Sequence, residues 1–125
     1  MIKNKASFYK SLFFALEGLY VCIKTQLHMR VHIVAAVLAI SMALMLKIQR
    51  IEWICLWGVI FLVLITESIN TAIESTVDLL TKEFHPRAKV AKDVAAAAVL
   101  LASILAVIVG SLVLYNPLMT YIKGV

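Results

Sequence analysis

Three carboxylates and an amide recur within one short stretch, Glu67-Ser68-Ile69-Asn70-Thr71-Ala72-Ile73-Glu74-Ser75-Thr76-Val77-Asp78. On a helix turning about 100° per residue, Glu67, Glu74 and Asp78 fall within roughly 40° of one another. Asn70 lies about 60° to one side of that stripe and Thr71 about 40° to the other. Ile69, Ile73, Val77 and Leu80 point the other way. The stretch follows directly on Trp53 to Ile65, a run with no charged or strongly polar residue and no helix breaker after it. One continuous helix is therefore expected to carry an acid stripe out of an apolar layer. Acids at membrane depth are costly, and by default they mark function. Stacked carboxylates repel unless a cation or a proton sits between them. The stripe calls for a divalent metal, a proton, or both.

A second set of charges lies close downstream. Pro86 is placed to start a helix, and Lys89, Lys92 and Asp93 fall in its first turns. Acids that can hold Mg²⁺, with lysines at a positively polarised helix N-terminus, are the parts phosphoryl transfer needs. A deep glutamate is placed to take a proton from a lipid hydroxyl. The plainer alternative is that the acids pair with the loop lysines and fix topology. The chain has no P-loop and no protein-kinase signature, so a kinase here binds nucleotide by other means.

The elements that position these groups follow from composition. The 125 residues suffice for one domain, 1–125, and 63% of them are hydrophobic. The mean hydropathy of +0.99 is too high for an ordinary soluble domain. The apolar residues fall in three blocks, which places membrane spans at about 31–46, 51–82 and 88–115, the last ended by Asn116-Pro117. Residues 6–24 repeat Phe8, Leu12, Leu16, Leu19 and Ile23 at helical spacing among Lys10, Glu17 and Lys24. That pattern suits an amphipathic helix on a membrane surface. Thr25 to His32 reads as a polar hinge, and Lys47 to Glu52 as a tight turn between antiparallel spans. Trp53 and Trp57 suit an interfacial belt.

Of twelve lysines and arginines, nine fall in the N-terminal segment and the second loop, and three (Lys47, Arg50 and Lys123) elsewhere. The positive-inside rule then expects the N-terminus and the acid-bearing loop in the cytoplasm of an inner-membrane protein. No cleavable signal peptide is expected. Cys22 and Cys55 lack any metal or redox spacing and read as small apolar residues. No nucleic-acid motif is present. Ala91, Ala95, Ala98, Ala102 and Ala106 form a small-residue ridge that lets another helix approach closely. Three thin spans hide little polar surface, so a homo-oligomer burying the Glu67 stripe is expected.

Glu67-x-x-Asn70-Thr-Ala-Ile-Glu74-x-x-x-Asp78, with Ala91-Lys92-Asp93 downstream, closely resembles the bacterial integral-membrane diacylglycerol kinase family, which includes undecaprenol kinases. Arg30-Val31-His32 looks more like the undecaprenol kinase branch. The resemblance covers nearly the whole chain. It implies an all-α membrane protein, with a surface helix plus three transmembrane helices, assembled as a homotrimer with shared sites at the cytoplasmic interface. It implies Mg²⁺-ATP as phosphoryl donor and a lipid alcohol as acceptor. The residue matching Glu67 is then the general base, and that matching Glu74 binds the divalent cation. Those matching Lys92, Asp93, Asp78 and Asn70 serve nucleotide and phosphate. One position departs from the pattern: family members usually carry a metal-sharing glutamate where this chain has Gln26, and His28 stands where an asparagine is usual. A glutamine offers a carbonyl oxygen but no charge.

The expected function is ATP-dependent phosphorylation of undecaprenol, with diacylglycerol as the alternative acceptor. A small proton-coupled transporter, or a non-catalytic subunit, is the rival from another class.

Overall fold

Four helices make up the chain in the computed structural model, which describes Lys5 to Gly124. They are α1 (Lys5–Thr25), α2 (Leu27–Leu46), α3 (Arg50–Leu80) and α4 (Pro86–Lys123). The last three are long and apolar enough to cross a membrane. Lys3, one of the cations of the charge count, lies outside the described residues.

Each boundary has a local cause. α3 opens with a capping box, in which the Gln49 N–H donates to Glu52 Oε2 at 2.8 Å and the Gln49 side chain meets the N3 backbone. α4 opens with Pro86 in its first turn, and His85 Nδ1 accepts from the Arg87 N–H at 3.2 Å. α2 closes on Lys47 in the left-handed region at φ 53°, its N–H donating to the Ala43 carbonyl. Ile48 then tucks into the core, 8% exposed, so the turn is pinned by packing as well as by backbone. Within the apolar helices the hydroxyls of Ser41, Thr66, Ser68 and Ser103 donate to carbonyls one turn back. Each of these hydroxyls thereby has a partner in lipid.

Two boundaries differ from the sequence reading. The polar hinge of residues 25–32 contracts to one residue, Gln26, at φ −103° and ψ 116° between α1 and α2. His28, Arg30 and His32 are helical, because hydrogen bonding resumes at once, with the Arg30 N–H reaching the Gln26 carbonyl at 3.4 Å. Asn116-Pro117 does not end α4, which runs on to Lys123 and is capped by Gly124 at φ 67°. Proline removes one backbone donor, whereas stopping the helix would orphan four carbonyls. In apolar surroundings the single loss is the smaller cost.

α3 and α4 form the principal helix pair and run antiparallel. At the end near the α2–α3 turn, Leu56 and Val113 share a buried cluster with Ala43 and Ile48. At the loop end, Asp78 meets Lys92. These two fixed points set Glu67 at the level of Ala102. Ala95 and Ala102, part of the alanine ridge, are already buried within the chain. Small side chains there let α3 come close enough to bury its polar stripe. α1 exposes nearly all its bulky apolar residues, including Phe8, Phe13 and Phe14, while Cys22 is buried.

Candidate active site

The α3 stripe is graded by burial. Glu67 is 2% exposed, Asn70 6% and Thr71 7%. Glu74 is half-buried and Asp78 exposed. The spacing had put these groups on one side of the helix; packing against α4 turns the deep end inward and leaves the loop end in the open. The Thr71 hydroxyl donates to the Glu67 backbone carbonyl at 3.0 Å. No hydrogen bond to the Glu67 carboxylate is present among the described residues, and its oxygens are not fully enclosed. Asn70 Oδ1 is fully enclosed and has no partner. A fully enclosed amide oxygen without a partner is expensive for a fold. Such groups are kept where a ligand answers them.

Eleven residues further along, about 16 Å of helix, Asp78 borders an open cleft of about 640 Å³ lined also by Lys82, His85, Lys89, Lys92 and Asp93. The Lys92 ammonium donates to the Asp78 carboxylate across the loop, and Lys89 to Asp93 one turn apart on α4. Lys92 sits on the second turn of α4, whose N-terminus adds partial positive charge to the same cleft. The chemistry suits polyphosphate: ammonium groups for the oxygens and carboxylates to position those ammonium groups.

Of the residues singled out from sequence, Asp78, Lys92 and Asp93 come together in the cleft. Glu67 and Asn70 lie deeper on α3, and Glu74 joins the two regions. Gln26, half-buried, forms the N-cap of α2. The α2–α3 hairpin returns it to about the depth of Asn70. No three His, Cys, Asp or Glu side chains converge on a metal position among the described residues. Mg²⁺ is typically held by one or two carboxylates together with substrate phosphates. The sequence reading missed Lys82 and His85 as cleft residues. Its available signal was the loop itself: five residues joining an acid-bearing helix to a base-bearing one must border whatever lies between them.

Lys92 and Asp78 are respectively 38% and 63% exposed at the side chain, so water screens their pair and its worth is small. The carboxylate of Asp78 restricts where the Lys92 ammonium sits. For the ATP that the family resemblance implies, Asp78→Asn is expected to raise the KM by at most about fivefold, the factor of about 1 kcal/mol, with kcat little changed. Steady-state kinetics at saturating lipid checks this, and Asp78→Glu should restore the KM.

A helical membrane protein with a buried acid leading to a basic cleft fits an enzyme that acts on a lipid with a phosphorylated co-substrate. Residues 13–114 match the family model for prokaryotic diacylglycerol kinase. The chain is 36% identical over 106 residues to undecaprenol kinase of Bacillus subtilis, covering 85% of this chain and 86% of that protein. It is 43% identical over 108 residues to a diacylglycerol kinase of Synechocystis sp., covering 86% of this chain and 62% of that protein. It is 40% identical over 83 residues to diacylglycerol kinase of Escherichia coli, covering 66% of this chain and 68% of that protein. The chain belongs to the prokaryotic diacylglycerol kinase family. It is an integral membrane lipid kinase that uses ATP, and the transporter and non-catalytic readings fall away.

Proposed function

We infer that this chain transfers the γ-phosphoryl group of ATP to the hydroxyl of undecaprenol. It does so as a homotrimer in the bacterial inner membrane, with the N-terminus and the site on the cytoplasmic side. The observation that carries this reading is the burial gradient on α3, from an enclosed Glu67 to an open Asp78–Lys92 cleft. A lipid hydroxyl reaches the site from the bilayer and the nucleotide from water, and the gradient offers each its own end. Nine cations toward the N-terminus and second loop against three elsewhere support the orientation. The exposed aromatic residues of α1 support its lying on the membrane surface. Apolar faces left open by three thin spans support association.

In this reading Glu67 accepts the proton of the attacking hydroxyl as its oxygen bonds to the γ-phosphorus. The bond to the ADP oxygen breaks in line, and the proton stays on the Glu67 carboxylate until product leaves. Lys92 holds phosphate oxygens, Asp93 and Asp78 steady the lysines, and Asn70 orients the acceptor end. The donor set suits a hard divalent cation: it consists of carboxylate and amide oxygens and includes the orphaned Asn70 Oδ1. Glu74, with the Gln26 side-chain carbonyl, would hold Mg²⁺, which when bound offsets phosphate charge. Gln26→Glu adds a formal charge to that pair and is expected to lower the Mg²⁺ concentration for half-maximal rate by about tenfold. A Mg²⁺ titration at fixed ATP checks it; an unchanged midpoint removes Gln26 from the site.

The acceptor is assigned through the relative named undecaprenol kinase, most of whose length the chain spans. Diacylglycerol is the second reading, favoured by the higher identity to the Synechocystis relative. Equimolar undecaprenol and diacylglycerol competing in mixed micelles with Mg²⁺-ATP separate the two. Preferential phosphorylation of undecaprenol is expected; preferential phosphatidate formation would reassign the acceptor and leave the site intact.

A further inference from the structure

Three ammonium groups line the cleft where α3 ends and α4 begins, those of Lys82, Lys89 and Lys92. Two of them are committed. Lys92 donates to Asp78, and Lys89 to Asp93. Lys82 forms no ion pair among the described residues. Its neighbour Glu83 also lines the cleft and does not neutralise it. The lining sets three ammonium groups against three carboxylates, Asp78, Glu83 and Asp93, and so carries no formal net charge. Its attraction for a polyanion therefore depends on where each ammonium stands and whether it is already paired. Lys82 meets a ligand without first giving up a carboxylate.

The backbone around Lys82 is held in place. α3 ends on Thr81 in an extended conformation, φ −150° and ψ 135°, with its N–H donating to the Val77 carbonyl. The Thr81 hydroxyl donates to the Glu83 carbonyl at 3.1 Å and so brackets Lys82. Thr81 itself borders the cleft, about 4.5 Å of helix beyond Asp78. Lys82 thus enters the lining past the Asp78–Lys92 pair, on the side away from Glu67.

We propose that Lys82 grips the two phosphates that remain on ADP, and holds the nucleotide alike before and after transfer. The proposal rests on the reading of Glu67 as the acceptor end and of the cleft as the ATP site. The γ-phosphorus must then face Glu67, and the rest of the phosphate chain runs the other way. Lys92 stands at the near end with the group that leaves. Lys82 stands at the far end with the part that stays. A flexible ammonium meets phosphate oxygens as a point charge and needs no fixed fork. The plainer role, a cation beside the α3 C-terminus, would act on helix stability and leave nucleotide affinity alone. Arg87 supplies a control of equal charge. It is exposed, stands in the first turn of α4, and is not among the cleft residues.

The test measures equilibrium binding of ATP and of ADP, each with Mg²⁺, by displacement of a fluorescent nucleotide from full-length protein in detergent micelles. Wild type is compared with Lys82→Gln, Lys82→Arg, Arg87→Gln and Lys92→Gln. Lys82→Gln should weaken ATP and ADP by the same factor, about tenfold, that of one charge-assisted hydrogen bond in an open cleft. The loss should appear in KM for ATP and not in kcat. Lys82→Arg should recover most of the affinity. Arg87→Gln should leave both Kd values within about twofold of wild type, as a screened charge outside the cleft. Lys92→Gln should weaken ATP more than ADP. Equal weakening by Arg87→Gln would overturn the proposal, because net charge would then be the cause. Loss of ATP affinity without loss of ADP affinity in Lys82→Gln would overturn it by placing Lys82 on the transferred group. So would a lowered thermal midpoint with unchanged nucleotide binding, the mark of a helix-end cation. Folded wild type that binds neither nucleotide would overturn the reading of the cleft itself, and the proposal with it.

Discussion

Glu67→Gln is expected to reduce turnover by roughly 10²- to 10⁴-fold, the usual contribution of a positioned general base, while leaving a folded protein that binds ATP as wild type does. The substitution keeps the shape of a side chain that is 2% exposed and removes its charge. A structural role for Glu67 would make the variant unstable. The structure offers no such role, because no hydrogen bond to the carboxylate is present among the described residues and its oxygens, unlike Asn70 Oδ1, are not fully enclosed. The thermal midpoint of Glu67→Gln should therefore lie close to that of wild type. Activity with γ-labelled ATP and unfolding in the same detergent, measured together, separate catalysis from stability. A variant that unfolds early would return Glu67 to a structural role, and full activity would end its assignment as base.

Lys92→Gln is expected to show the second-largest loss, roughly 10²- to 10³-fold in kcat/KM, comparable to removing one donor from a developing oxyanion. The loss should fall on both KM for ATP and kcat, because an ammonium on phosphate oxygens acts before and during transfer. Lys92→Arg keeps the charge but alters its geometry, and should recover part of the activity. Lys89→Gln provides the contrast. Lys89 pairs with Asp93 one turn along the same helix, both ends about three-fifths exposed, and its loss should cost far less than that of Lys92. Equal losses at the two lysines would mean that the cleft acts by net charge alone, with no particular ammonium on the transferred phosphate.

How much of this was legible in the sequence depends on the length scale of the signal. The α2, α3 and α4 helices were legible because each carries a long apolar block, and the basic residues flanking them set a direction. The α2–α3 turn was legible from its polar composition. The break at Gln26 was not confined to one residue by the sequence, because the stretch contains neither glycine nor proline to mark it. Asn-Pro at 116–117 signalled an end that the helix does not take, since local propensity competes there with the cost of orphaned carbonyls. At the site, periodicity aligned Glu67, Glu74 and Asp78, but periodicity carries no information on depth. Burial of Glu67 depends on a different helix, α4, packed against α3. The Lys92–Asp78 pair joins residues fourteen apart across a loop, a spacing that helical periodicity cannot link. Lys82 and His85 were seen as loop residues and missed as cleft residues for the same reason.

The central claim is that one continuous stripe on α3 joins a lipid hydroxyl at Glu67 to a nucleotide beside Lys92. The most direct test supplies purified full-length protein in mixed micelles with Mg²⁺, γ-labelled ATP and undecaprenol as sole acceptor, with Glu67→Gln run in parallel. The expected result is label in undecaprenyl phosphate with wild type and almost none with the variant, from proteins that bind ATP equally. Equal labelling by both proteins, or no labelling by folded wild type that binds ATP, would contradict it.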